Sequence, residues 1–149
     1  MQLVLAPDPV LSAPCAPVTA FDGDLAARVL PMLRVMYDAN GRGLAAPQVG
    51  WAVRLFVMDL TWKEGAPAPQ VFVNPVITAQ ADTEATGQEQ CLSIPDTPLD
   101  IKRPEWIALD WQDLDGTRRT GRFDGVAARC IAHERDHLDG ILITDWVAA

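Results

Sequence analysis

The apolar residues of this chain change their spacing several times, and each change marks an element. Between residues 22 and 40, Leu25, Val29, Met32, Leu33, Met36 and Tyr37 recur at helical intervals and predict a first helix. Asp22 or Asp24 can cap its start, and Gly41 lies just past its end. Pro31 interrupts the pattern; an interior proline costs about 3 kcal/mol relative to alanine, so a kink or a late start is expected. Residues 41–50 are punctuated by glycine, and 53–60 and 71–77 then read as strands. Residues 81–88 are polar and turn-like, and 89–95 form a short extended segment ending at Pro95. A strand over 106–111 is turned by Asp113-Leu114-Asp115-Gly116 into a second over 117–123, which makes a hairpin. Val126, Ala127, Cys130, Ile131 and Leu138 follow helical spacing again, and Asp139-Gly140 ends that helix. The first 21 residues hold Pro7, Pro9, Pro14 and Pro17 and are expected to wrap the core as extended chain. The predicted class is α+β, with one early and one late helix packed on a largely antiparallel sheet.

Size and charge narrow the function classes. A chain of 149 residues, 49% hydrophobic and 21% charged, reads as one folded domain over 1–149. No apolar run approaches the roughly 20 residues of a membrane helix, and the N-terminus has no basic leader, so a cytoplasmic monomer is expected. A net charge of −8 argues against direct nucleic-acid binding. Lys102, Arg103, Arg118, Arg119 and Arg122 are concentrated in one region and read as solvated sheet edges. Three cysteines, Cys15, Cys91 and Cys130, suit free thiols or a metal ligand better than a disulfide framework.

The chemistry concentrates at His133-Glu134-Arg135-Asp136-His137. The chain has 2 histidines and both are here, four residues apart, so on a helix both imidazoles can address one metal ion. Glu134 stands where a base for metal-assisted hydrolysis belongs. A catalytic site of this kind usually takes three protein ligands and leaves one position open. Cys91 is the best third donor, because its thiolate suits Zn²⁺ or Fe²⁺ and Pro95 can help hold its segment rigid. Cys130 reads as core, and Cys15 is the weakest candidate.

The segments GRGLAAPQ (41–48), EQCLS (89–93) and HERDH (133–137) resemble, in this order, the GxGLAAxQ, EGCLS and HExDH motifs of the peptide deformylase family. Phe72-Val73-Asn74-Pro75 and Asp136-His137-Leu138-Asp139-Gly140 are similar too, so the likeness runs along nearly the whole chain. It implies a sheet packed around a central metal-binding HExxH helix, and release of formate from N-formylmethionyl peptides of new proteins. Cys91, His133 and His137 would hold one divalent ion, Fe²⁺ in most relatives, with Zn²⁺, Ni²⁺ or Co²⁺ as substitutes. Glu134 would be the general base, and the Gln48 amide with the Leu92 backbone N–H would stabilise the oxyanion. Gly43 would let the substrate approach, while Val126, the stem of Arg129 and Cys130 would line the methionine pocket.

Three positions depart from the family pattern. Gln90 replaces a glycine and is strained if that position needs positive φ. Arg42 makes the pocket rim more cationic, and Ala132 stands where glutamine is frequent. The short run after residue 140 and the acidic charge predict weak or absent ribosome association. Gln90 and Arg42 also motivate an alternative, a peptide-binding paralogue with little turnover. A general HExxH endopeptidase is a third reading, disfavoured by the cysteine ligand candidate.

Overall fold

The computed structural model describes residues 1–147; Ala148 and Ala149, the end of the expected domain, lie outside the described residues. Two α-helices are present among them, α1 (Gly23–Asp38) and α2 (Gly125–Leu138). The strands are β1 (Gly43–Ala45), β2 (Leu55–Met58), β3 (Gln70–Gln80), β4 (Glu84–Cys91), β5 (Ile94–Pro104), β6 (Trp106–Gln112) and β7 (Arg118–Asp124). They form an antiparallel five-stranded sheet in the order β1-β2-β3-β6-β7 and a separate β4-β5 hairpin.

All four residues of β2 are buried, as a strand covered on both faces requires. Successive side chains of a strand point to opposite faces. Phe56 and Met58 accordingly join Phe72, Ile107 and Leu109 in a core closed by Ala128, Ile131 and Leu138 of α2. Leu55 and Val57 turn the other way, toward Leu25, Val29, Met32 and Met36 of α1. The sheet is therefore sandwiched, with α2 as the buried helix at the centre of the site. Phe72 stacks on Phe56 at 4.7 Å between ring centroids, which fixes the register of that core layer.

Several expectations change. Pro31 does not delay α1, which starts at Gly23 with the Asp22 carboxylate accepting from Leu25 N. Pro31 and Ala27 are both exposed, so the Ala27 carbonyl that loses its helical donor faces water. Asn40, not Gly41, takes the left-handed conformation after the helix, at φ 63°. The polar stretch 81–88 is mostly strand, and β5 continues through Pro95, Pro98 and Pro104. A two-stranded hairpin leaves each strand one unpaired edge, and there a missing N–H costs no ladder bond. Arg103 is not at a solvated edge but 3% exposed. The β6-β7 hairpin forms as predicted, with Gly116 at φ 86° and the Thr117 N–H donating to the Asp115 carboxylate at 2.9 Å.

Candidate metal centre

Cys91, His133 and His137 are all buried, and their ligand atoms lie within 4.8 Å of one another. The histidines meet because α2 repeats its faces every three to four residues. Cys91 reaches them from the tip of the β4-β5 hairpin, where burial alternates so that Glu89 and Cys91 point inward and Gln88 and Gln90 outward. The Cys91 Sγ sits 3.5 Å from His137 Nε2. His133 Nδ1 pairs with the Glu89 carboxylate at 2.9 Å, which leaves Nε2 as its ligand nitrogen. Two imidazoles and one sulfur are a donor set suited to a borderline divalent ion. The buried donors fit such a group.

The electrostatics favour one positive charge among these residues. Burial alone would lower the His133 pKa, yet the Glu134 charge and the Cys91 and Glu89 contacts lift it to about 10. A proton or a metal ion can satisfy that demand. Burial and the neighbouring His133 charge push His137 well below the ordinary imidazole range, so it stays neutral. Burial lifts Glu134 to about 7 against the opposing pull of His133. Its Oε1 is buried without a hydrogen-bond partner.

Glu89 and Arg103 are the functional residues that sequence reasoning missed. Burial would raise the Glu89 pKa, but His133 and Arg103 hold it down to about 2. Arg103 donates from both Nε and Nη2 to Glu89 at 2.9 Å, and from Nη1 to Asp136 at 2.6 Å. Arg129 adds a third contact on Glu89 at 2.8 Å. One carboxylate thus joins the hairpin to the histidine helix. The available signal was periodic: Glu89 is two residues from Cys91 on the same strand, so both share a face.

The oxyanion candidates sit alongside. Gln48 lies in the 3-10 turn Ala46–Val49, where its Oε1 accepts from Ala45 N at 2.9 Å. That bond fixes the amide so that Nε2 donates to Ser93 Oγ at 3.0 Å and points toward Cys91 Sγ at 3.7 Å. The long contact to sulfur is the donor able to turn to a substrate.

A cavity of about 360 Å³ opens at this point. Gly43, Gln48, Leu92, Cys130, His133 and Glu134 line it, and Arg42, Gln90, Val126 and Arg129 are also in its wall. Val126 is 71% exposed and belongs to the mouth. The guanidinium of Arg129 is committed to Glu89 and to backbone carbonyls of Ala85 and Ile101. Burial pushes the Cys130 thiol well up, helped by Glu134 and Glu89 and opposed by Arg42. Gln90 is not among the positive-φ residues, so the glycine replacement brings no backbone strain of that kind. A Cβ on Gly43 would lie 2.6 Å from Glu134 Oε2 and 2.9 Å from Cys130 Sγ. The bare backbone at Gly43 therefore makes room for the Glu134 carboxylate. Asn40, Leu60 and Lys63 also line the cavity and were not anticipated. Cys15 packs in the core beneath α2 and has no part in the donor cluster.

An HExxH helix beside a buried cysteine from a neighbouring hairpin is the arrangement of a hydrolase with a candidate metal centre. Residues 1–149 match the polypeptide deformylase family model. The chain is 44% identical to the peptide deformylase of Brucella suis over 147 residues, 98% of this chain and 83% of that protein. The peptide deformylase structure from Thermotoga maritima superposes with a TM-score of 0.92 at 37% identity, covering 99% of this chain and 97% of that one. A Synechococcus elongatus peptide deformylase in complex with actinonin gives a TM-score of 0.93 at 42% identity, covering 97% and 78%. The chain belongs to the peptide deformylase family and is an enzyme.

Proposed function

We propose that the protein, as a single domain over 1–149, removes the formyl group from N-formylmethionyl peptides of newly made proteins and that Cys91, His133 and His137 hold its metal. The convergence of those three buried donors beside Glu134 carries this reading. Fe²⁺ is the proposed ion, with Zn²⁺, Ni²⁺ and Co²⁺ as substitutes the donor set also accepts. When bound, the ion supplies Lewis-acid polarisation and makes water more acidic.

The protein's own residues do the rest. Glu134 Oε1, buried and unpartnered, accepts the proton of the attacking water and returns it to the leaving amine. A carboxyl group poised near neutrality can do both. Gln48 Nε2 and the Leu92 N–H donate to the oxygen on which charge develops, and donors of this kind are worth about 2.7–4 kcal/mol. Glu89 holds the His133 ring in orientation through Nδ1. Cys130 and Val126 receive the methionine side chain, the stem of Arg129 supports that wall, and Gly43, Arg42 and Gln90 lie along the peptide's path. No helix among the described residues is long and apolar enough to cross a membrane. A cytoplasmic location is part of this reading, and the net charge of −8 supports a monomer with weak or absent ribosome association and no direct nucleic-acid binding.

The test is formate release from a formyl-Met tripeptide under anaerobic conditions, with metal content measured on the same samples. Wild-type protein should turn over. Glu134→Ala should keep its metal and lose at least about a hundredfold in rate, in line with general-base contributions. Retained activity in that variant would remove the base assignment.

A further inference from the structure

The outer end of the cavity carries two cations that the chemistry at the metal centre does not use. Arg42 and Lys63 both line it, on a molecule whose net charge is −8. Lys63 Nζ lies 5.6 Å from the Trp62 ring centroid, and the Trp62 Nε1 donates to the Gly41 carbonyl at 2.9 Å. The segment before β1 that carries Arg42 and the 3-10 turn that carries Lys63 are thus joined by a hydrogen bond, which sets the two cations on one side of the cavity mouth. Arg42 is held by a single contact, 3.5 Å from Glu64, with side chains 45% and 63% exposed. An exposed pair of that length is worth about 1 kcal/mol at most, so a carboxylate arriving in the cavity can displace Glu64. The planar guanidinium then offers a two-bond fit to the new carboxylate.

We propose that Arg42, seconded by Lys63, selects peptides carrying a carboxylate beyond the formyl-methionine. The site therefore prefers nascent chains whose early residues include Asp or Glu. Glu64 acts as an internal competitor that keeps the rim occupied until such a chain arrives. This inference rests on the deformylase reading of the same cavity.

The experiment pairs formyl-Met-Ala-Asp-amide with formyl-Met-Ala-Asn-amide and adds formyl-Met-Ala-Asn with a free C-terminus. Wild-type kcat/KM should favour the Asp peptide about fivefold at low salt, and the ratio should shrink as salt is raised. Arg42→Gln should bring the ratio close to one, Lys63→Gln should reduce it partly, and Glu64→Gln should raise it. A free-terminus peptide favoured equally would name the chain terminus as a second source of the same carboxylate. Kd values for the same peptides on metal-loaded Glu134→Ala, by calorimetry, should show the same order without turnover. If wild-type protein releases formate from none of them, the deformylase reading fails while the Kd ratio still decides this inference. A ratio near one in wild type, or a preference that survives in Arg42→Gln, overturns it.

Discussion

Gly43 shows how closely single atoms are matched at this site. Its missing Cβ leaves space that the Glu134 carboxylate and the Cys130 sulfur take up, at 2.6 and 2.9 Å from where the methyl would sit. Gly43→Ala should therefore push Glu134 aside, and a displacement near 1 Å costs about a hundredfold in rate. The prediction is a large loss of kcat with metal content unchanged; wild-type kcat would mean that the carboxylate is not held by this contact. Tyr37 offers a second residue-level test, because it is the one tyrosine of the chain. Burial, together with the hydrogen bond to Asp59 at 2.6 Å, pushes its hydroxyl from 10.0 up to about 12. Since the folded value is raised, the stabilisation is complete below pH 10 and is lost as pH rises through about 12. Tyrosinate absorbance should report that midpoint directly, and Asp59→Asn should bring it back toward 10. An unmoved midpoint would assign the shift to burial alone.

At the level of elements, the β4-β5 hairpin and α2 are joined through Glu89 more than through apolar packing. Glu89 accepts from Arg103, Arg129 and His133, each contact within 2.9 Å. Glu89→Gln keeps the shape and removes the charge that orients His133. Loss of such an outer partner should weaken metal binding about 10–100-fold, measurable by competition with a chromogenic chelator. Undiminished affinity would show that the helix alone orients the ring. These two elements were unequally visible in the sequence. The helix was plain, because apolar spacing and both histidines repeat with its turn. The hairpin was largely hidden, since Glu84–Cys91 exposes most of its side chains and β5 carries three prolines. Neither feature looks like a strand unless its partner is known. Buried Arg103 was invisible for the same reason: its two carboxylate partners lie 14 and 33 residues away in sequence.

For the whole molecule, the motif order along the chain and the two-helix α+β plan were legible because they depend on local spacing. The grouping of Cys91 with His133 and His137 was legible through the three motifs, but the Glu89 and Arg103 contacts that hold hairpin and helix together were not, since they join residues far apart in sequence. That join has a mechanical meaning for the β4-β5 hairpin, which shares no ladder with the five-stranded sheet. If Cys91 at its tip and both histidines on α2 hold one ion, that ion adds a rivet to the Glu89 and Arg103 contacts that already join hairpin and helix. Chelation should then act regionally. In hydrogen exchange, amides of β2, β3 and β6 should remain slow, while those of 84–104 quicken toward local opening. Uniform quickening would instead mark the chain as one cooperative block. The contrast would make this hairpin the hinge by which metal supply sets the protein's susceptibility to proteases.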